Sequence, residues 1–89
     1  MTTAFVRHTV ADYAKWRRAY DELDAMRTRL GVTGASVYRD ADDSNTVIVT
    51  HNFKDTSTAK AFANSQELRS AIEGSGVTTA PEIWFGEES

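Results

Sequence analysis

Hydrophobic residues follow two different spacings along this chain. Residues that favour β-strands are dense at 4–9, 32–39, 46–53 and 82–86, which predicts four strands. Between the first two strands, apolar residues recur at steps of three and four, which predicts one amphipathic helix over 12–30. The predicted inward face of this helix consists of Tyr13, Trp16, Tyr20, Leu23, Met26 or Arg27, and Leu30.

Residues suited to helix ends mark the boundaries of two helical regions. Asp12 is the predicted N-cap of the first helix, because its carboxylate can accept the free amide hydrogens of the first turn. Gly31 ends this helix, since glycine tolerates a left-handed backbone. The second helical region begins at Asp55 or Ser57 and is interrupted before a segment that Ser65 can cap.

The order of these elements, βαββαβ, predicts a ferredoxin-like α+β fold. The run Gly74-Ser-Gly76 ends the second helical region before the last strand. Without long connections, such a chain folds most simply as a four-stranded antiparallel sheet with both helical regions on one face. We expect strands one and three to be central and parallel to each other. A length of 89 residues suits one domain, which we predict to span 1–89.

Apolar side chains point to both faces of the predicted sheet. A face that meets water is normally polar, so we expect the face without helices to meet another protein surface. Two such sheets pressed face to face form a dimeric α+β barrel, and we therefore predict a homodimer. If that face is the dimer interface, Arg7 needs a partner there, for which Glu82 on the adjacent strand is a candidate. The alternative is a rim arginine that reaches water. The strand parity stays open, and the residues expected to be buried are Phe5, Ile48 or Val49, and Trp84 or Phe85.

Composition and charge exclude several classes of protein. The net charge of -3, from 13 acidic and 10 basic residues, is too small and too mixed for a nucleic-acid or membrane partner. No segment approaches the roughly 20 apolar residues that span a bilayer, and the first residues lack an apolar signal core. We therefore expect a cytoplasmic protein. The absence of cysteine excludes a disulfide framework and a thiol nucleophile.

His8 and His51 are the two histidines, and each lies near the C-terminal end of a predicted central strand. If these strands run parallel as neighbours, the imidazoles could lie within several ångströms of each other. Histidine titrates near neutrality, so the pair could remove a proton from an acidic carbon and return it elsewhere. We predict both as catalytic acid–base residues. The alternative is that each satisfies a helix end or a neighbouring carbonyl.

The remaining polar and aromatic residues indicate a substrate cleft and no metal site. The acidic turn at 40–45 lacks the glycine and distal glutamate of a calcium loop, and two histidines without a third ligand make a poor metal site. No metal or other cofactor is expected. Four aromatic residues could line an apolar cleft for a flat substrate, or could equally be core packing. These predicted substrate-binding residues are Trp16, Tyr20, Phe53 and Phe62.

Three sequence patterns resemble the antibiotic biosynthesis monooxygenase-like superfamily. They are Val-Arg-His-x-Val-Ala-Asp-Tyr-x-x-Trp at 6–16, the turn Arg39-Asp-Ala-Asp-Asp-Ser-Asn45, and His-x-Phe-x-Asp at 51–55. That superfamily includes cofactor-independent monooxygenases, lactone isomerases, polyketide cyclases, haem-degrading enzymes and members with no assigned activity. The resemblance implies a dimeric α+β barrel whose ligand lies between sheet and helices.

The function implied by this resemblance is a small-molecule enzyme of secondary metabolism. It would act on a hydrophobic, aromatic or polyketide-like metabolite by cofactor-independent acid–base or oxygenation chemistry, as a cyclase, isomerase or monooxygenase. The competing interpretation is a homodimer that binds a ligand without catalysis or has a structural role. Haem binding is a third possibility and would require an axial ligand that faces the cleft.

Overall fold

Four strands and four short helices make up the described part of the chain. The computed structural model describes residues 1–74 and 76–89. The strands are β1 (Thr2–Thr9), β2 (Gly34–Arg39), β3 (Thr46–Phe53) and β4 (Glu82–Glu87). The helices are α1 (Tyr13–Glu22), α2 (Asp24–Arg29), α3 (Thr56–Ala63) and α4 (Gln66–Gly74). The strands form one antiparallel sheet in the order β2-β3-β1-β4, which confirms the predicted ferredoxin-like α+β fold.

The two central strands run in opposite directions, so the predicted parallel pairing of β1 and β3 is wrong. Helices α1 and α2 carry the chain back along the sheet, which makes β2 run in the direction of β1. The hairpin turn after β2 then reverses the chain, and β3 must oppose β1. In the resulting register His8 lies opposite Val47, and His51 lies opposite Ala4.

The first helical region is two helices, not the single helix predicted over 12–30. The break falls at Leu23, whose N–H donates to the Tyr20 carbonyl at 3.2 Å, three residues back. The Arg27 Nη1 donates to the same carbonyl at 2.7 Å. A side chain therefore takes the place of the backbone donor that would continue the helix.

The outer ends of the first helical region are as predicted. Asp12 accepts a hydrogen bond from the Lys15 N–H at 3.2 Å. Gly31 has a φ of +102°, and a Cβ there would lie 2.6 Å from the methyl group of Thr58. Glycine is therefore needed at this position both for its backbone conformation and for its lack of a side chain.

The second helical region is interrupted as the sequence indicates. Asp55 accepts from the Thr58 N–H at 2.8 Å and caps α3. The Ser65 hydroxyl oxygen accepts from the Leu68 N–H at 3.2 Å and caps α4. The helix end predicted at 74–76 includes Ser75, which lies outside the described residues. None of the helices in the described ranges has the length and apolar character needed to cross a membrane.

The side chains of the sheet divide between a helix-covered face and an open face. The helix-covered face carries Ala4, Val6 and His8 of β1, Val47, Val49, His51 and Phe53 of β3, and Ile83 and Phe85 of β4. On the open face, Phe5 stacks on Trp84 with their ring centroids 5.5 Å apart. Of the residues whose parity the sequence left open, Val49 and Phe85 face the helices, whereas Ile48 and Trp84 lie on the open face.

Arg7 of the open face has a different partner from the predicted one. Its Nη2 lies 3.3 Å from the Asp40 carboxylate in the turn between β2 and β3. Glu82 is the residue opposite Arg7 in the strand register, but the two form no ion pair in the described part of the chain. The turn carboxylate is therefore the partner that holds this guanidinium at the edge of the open face.

Candidate functional site

A cavity of about 60 Å³ lies between the helix-covered face of the sheet and the helices. Its polar lining residues are His8, Tyr20, Arg27 and His51, and no carboxylate belongs to the described lining. The remaining lining residues are apolar: Val6, Trp16, Ala19, Leu23, Met26, Val49, Phe62, Leu68, Ala71 and Ile72. The cavity therefore presents a few polar atoms within an apolar shell, as ligand sites commonly do.

A row of aromatic and imidazole rings forms one wall of this cavity. The centroid distances are 5.8 Å from His8 to Trp16, 5.1 Å from Trp16 to Tyr20, and 6.1 Å from Tyr20 to His51. Phe62 ends the row, 5.3 Å from His51 in an edge-to-face arrangement. Each ring thus packs on its neighbour at a distance typical of favourable aromatic pairs.

The sequence predicted that the two histidines lie together at one end of the sheet. In the structure they face the same cavity but lie apart. They are four register positions apart on antiparallel strands, a separation of about 13 Å along the sheet. Trp16 and Tyr20 lie between them along the wall of the cavity. A ligand in this cavity would therefore meet one imidazole at each of its ends. The two imidazoles would not act on the same ligand atom.

His8 is the more isolated of the two. Its side chain is buried, with 6% of the residue exposed. Neither ring nitrogen has a hydrogen-bond partner within residues 1–74 and 76–89. Burial lowers the pKa of the His8 imidazole because an apolar environment disfavours the charged form. At neutral pH it is an uncharged ring with one free acceptor and one free donor.

His51 forms a hydrogen-bonded pair with Tyr20. The Tyr20 hydroxyl and the His51 Nε2 are 3.0 Å apart, and the His51 Nδ1 has no partner in the described chain. Burial, and then the nearby charge of Arg27, lower the pKa of His51 to about 4. Burial raises the pKa of the Tyr20 phenol. Both groups are therefore neutral at pH 7, and the tautomer of His51 decides whether the Tyr20 hydroxyl or the His51 Nε2–H donates the hydrogen bond between them.

Arg27 is a site residue that the sequence analysis did not assign. Only 6% of it is exposed, and its guanidinium carbon lies 3.6 Å from the centre of the Tyr20 ring. Its Nη2 is 3.8 Å from Asp24, whose own side chain is 85% exposed. A signal was present in the sequence: the apolar repeat of the first helix reaches Met26 or Arg27 at the same step, which places an arginine beside an apolar face.

Three of the four predicted substrate-binding residues line the cavity, namely Trp16, Tyr20 and Phe62. Phe53, the fourth, does not line this cavity in the described structure. Phe53 is fully buried in a cluster with Ala4, Ala59 and Phe62, and its ring lies 5.3 Å from that of Phe62. It supports the wall of the cavity from behind, because the last residue of β3 lies beyond the end of the cavity.

A second, polar cavity of about 380 Å³ adjoins the first on the side of β2. Tyr20 and Arg27 line both cavities and form the boundary between them. Its other lining residues are Arg17, Asp21, Asp24, Ala35, Ser36 and Val37. Arg17 and Asp21 form an ion pair at 3.1 Å. In the described ranges, no group of three or more His, Cys, Asp or Glu side chains is placed to hold a metal ion.

Comparison with known proteins shows likeness in structure but not in sequence. No family model matches the chain, and no curated protein matches it. A protein from Bordetella bronchiseptica, provisionally named an antibiotic biosynthesis monooxygenase, superposes with a TM-score of 0.85 at 11% identity, covering 99% of this chain and 96% of that one. A mutant of SnoaB, a cofactor-independent oxygenase from Streptomyces nogalater, superposes with a TM-score of 0.78 at 14% identity, covering 98% and 91%.

A third structure agrees with these two. It is a protein from Nitrosomonas europaea with the same provisional name, and it superposes with a TM-score of 0.73 at 14% identity, covering 99% of this chain and 98% of that one. Identities this low are evidence of a shared fold and not of a shared reaction. The chain therefore has the fold of the antibiotic biosynthesis monooxygenase-like superfamily, which its sequence patterns resemble.

Proposed function

We propose that this protein is a small-molecule enzyme that moves a proton on a hydrophobic metabolite without a resident cofactor. The observation that carries the proposal is a set of buried histidine nitrogens that face an apolar cavity and have no hydrogen-bond partner among the described residues. A buried polar atom that lacks a hydrogen bond costs about 1–3 kcal/mol. A ligand with polar atoms at the two ends of an apolar body would remove that cost.

His8 is the proposed general base. It is neutral at pH 7 and has an acceptor nitrogen that no neighbouring side chain occupies. It would accept a proton from an acidic carbon or hydroxyl of the substrate and become an imidazolium beside the resulting anion. The apolar surroundings strengthen the attraction between these two opposite charges, which compensates for the lowered pKa of the free ring.

Tyr20 and His51 are the proposed second proton-transfer pair. The Tyr20 hydroxyl would donate to an oxygen or carbon of the substrate anion, and His51 Nε2 would hold the hydroxyl in place through the 3.0 Å bond. Two acid–base groups at opposite ends of one cavity can remove a proton at one atom and supply it at another. Separate acid and base groups of this kind suit an isomerase or a cyclase.

An oxygenation would begin with the same step. Removal of a proton from an electron-rich aromatic or polyketide-like substrate leaves an enolate, and an enolate can donate an electron to O₂. The structural likeness to SnoaB, a cofactor-independent oxygenase, supports this route. The proposed function therefore covers cyclase, isomerase and monooxygenase chemistry, which share proton abstraction as their first event.

Ligand entry would require one wall of the cavity to move. A volume of about 60 Å³ is smaller than a cavity that holds a single benzene ring, about 150 Å³. Helix α4 contributes Leu68 and Ala71 to the lining, yet none of the residues described in it is fully buried. It is the least buried wall, and its outward displacement is the proposed opening.

Isotope exchange tests the proposed proton abstraction directly. An anthrone and a lactone are each incubated with the protein in D₂O under nitrogen, and loss of the acidic C–H signal is followed by NMR. We expect exchange above the buffer rate with the wild-type protein, and a fall of about 10²-fold or more in the His8→Ala, His51→Ala double variant. Admission of air then shows whether the anion consumes oxygen.

Matched tyrosine variants make this experiment specific. Tyr20→Phe should slow the exchange, whereas Tyr13→Phe should not, because Tyr13 packs on Trp16 without lining the cavity. Equal exchange by the wild-type protein and the double histidine variant would remove the assignment of the histidines. Saturable binding of these compounds with no exchange at all would favour the non-catalytic alternative.

We also propose that 1–89 forms one domain that pairs with a second copy through its open sheet face. Trp84 is 45% exposed and Tyr38 is 56% exposed on this face. Phe5 and Ile48 lie beside them in the sheet register. Exposed aromatic rings beside apolar side chains on one sheet face are typical of protein interfaces. A second copy fits this face because two twisted sheets of the same kind can pack face to face.

A further inference from the structure

Arg27 is the one permanently charged residue in the described lining of the apolar cavity. Buried charges in proteins are normally paired, because removing an ion from water is costly. The nearest carboxylate, that of Asp24, is 3.8 Å away and faces solvent. A pair so exposed is worth little. The guanidinium therefore leaves most of its charge uncompensated inside the molecule.

The hydrogen-bonding capacity of Arg27 is also largely unused. A guanidinium has five N–H donors. In the ranges described, its single hydrogen bond runs from Nη1 to the Tyr20 carbonyl. The Tyr20 ring covers one flat face of the group, at 3.6 Å from the guanidinium carbon. The N–H groups along its edge remain, at the boundary between the apolar and the polar cavity.

We infer that Arg27 selects ligands that carry a carboxylate beside an aromatic or similarly apolar body. The apolar body would lie in the cavity between His8 and His51, and the carboxylate would lie against the guanidinium edge, toward the polar cavity. Such a carboxylate would accept the free N–H groups and neutralise the buried charge. The inference rests on the proposed function in one respect, since both place the ligand in the same cavity.

The geometry also explains why a neutral ligand would bind less well. A carboxamide of the same shape turns one acceptor oxygen into an N–H₂ donor, and a donor cannot bond to a guanidinium. The bond of a guanidinium to a carboxylate, in which both partners are charged, is stronger than its bond to a neutral amide oxygen, by an amount that corresponds to about tenfold or more in affinity. The comparison of a carboxylate with its amide thus isolates the contribution of Arg27.

NMR titration of the intact ¹⁵N-labelled protein with 2-naphthoate and 2-naphthamide tests this inference. The chain has two tryptophans, so two indole N–H signals report separately on the cavity (Trp16) and on the open face (Trp84). We expect 2-naphthoate to shift the Trp16 signal with an affinity about tenfold higher than that of 2-naphthamide. Arg27→Gln should lower the affinity for the carboxylate to that of the amide and leave the amide unaffected.

Two further variants separate charge selection from folding. Arg27→Lys keeps the charge and should retain part of the preference, which remains informative if Arg27→Gln does not fold. Arg18→Gln, on the exposed side of α1, should change neither affinity. Equal affinities of the wild-type protein for the two probes, a preference that survives Arg27→Gln, or no shift of Trp16 with either probe would each overturn the inference.

The binding test and the exchange test can fail independently. Binding is measured without turnover, so a carboxylate preference in a protein that exchanges no protons would retain the assignment of Arg27 and reject the proposed chemistry. Proton exchange on neutral anthrones without any preference for 2-naphthoate would do the reverse. The two results together therefore distinguish a site for anionic ligands from a site for proton transfer.

Discussion

The two faces of the sheet differ in the groups that each leaves without a partner: buried polar atoms on one face and exposed aromatic rings on the other. On the helix-covered face, the ring nitrogens of His8 and the Nδ1 of His51 are buried without partners in the described residues. On the open face, the rings of Trp84 and Tyr38 remain exposed. Buried polar atoms are best matched by a small molecule, whereas exposed rings are best matched by another protein surface. Alternation along the same strands thus gives one small chain two different faces, for which we propose two different kinds of partner.

Charge placed on the open face should have the largest effect. Trp84→Glu would put a carboxylate into the proposed sheet-to-sheet interface, and we expect the wild-type dimer to become a monomer at micromolar concentration. Multi-angle light scattering measures this change. Arg18→Glu, on an exposed side of α1, is the matched control and should leave the dimer intact.

The same variant also separates the two faces functionally. Naphthoate binding at Trp16 should survive in the Trp84→Glu monomer if the cavity is complete within one copy. A wild-type protein that scatters as a monomer would remove the dimer proposal. Loss of the cavity signal together with the dimer would show instead that the two surfaces are coupled.

The free energy of unfolding should fall at acidic pH because of the buried histidines on the helix-covered face. The pKa of His51 is lowered from 6.5 to about 4 in the folded protein, so between these values the unfolded chain binds more protons than the folded one. The contribution of His51 to the free energy of unfolding is therefore fully present above pH 6.5 and is lost as the pH falls toward 4. Between pH 7 and pH 5, the His51 contribution falls by about 2 kcal/mol.

Urea unfolding at the two pH values measures this effect. The lowered pKa of His8 acts in the same direction, so His8→Gln and His51→Gln should each flatten the profile. The carboxyls of Asp43, Asp55 and Glu87 have lowered pKa values as well, and they titrate below this window. An unfolding free energy that stays constant from pH 7 to pH 5 would contradict the burial of neutral histidines.

Tryptophan fluorescence gives the smallest effect but locates the ligand. A naphthoquinone in the cavity would stack on the indole of Trp16, so the emission should change saturably with its concentration. Trp16→Phe should abolish most of that change, and Trp84→Phe should not. A change reported by Trp84 alone would place the ligand between the sheets and exchange the roles of the two faces.

Features that depend on neighbouring residues could be predicted from the sequence. Asp12 and Asp55 cap helices by bonding to an N–H three residues ahead, and Gly31 adopts the left-handed conformation that its position indicated. The order of the elements then led to the fold. Each of these features needs no knowledge of distant parts of the chain.

Features that depend on tertiary contact could not be predicted. The relative direction of β1 and β3 follows from the whole path of the chain, and the error placed His8 and His51 together. The bond from Tyr20 to His51 joins residues 31 positions apart, which no local pattern shows. The periodicity marked an inward face but could not distinguish Met26 from Arg27, because a long side chain can bury its charge when a cavity receives it.

The break at Leu23 sets the distance between two site residues that are seven positions apart. In a continuous α-helix, seven residues rise about 10.5 Å along the axis, yet the guanidinium of Arg27 lies over the Tyr20 ring. The number of residues from 21 to 26 therefore fixes the position of Arg27 relative to Tyr20. Insertion or deletion of one residue in it would turn Arg27 by about 100° around the helix and dismantle the site with every site residue still present. A homologue shares this site only if it keeps the spacing as well as the side chains.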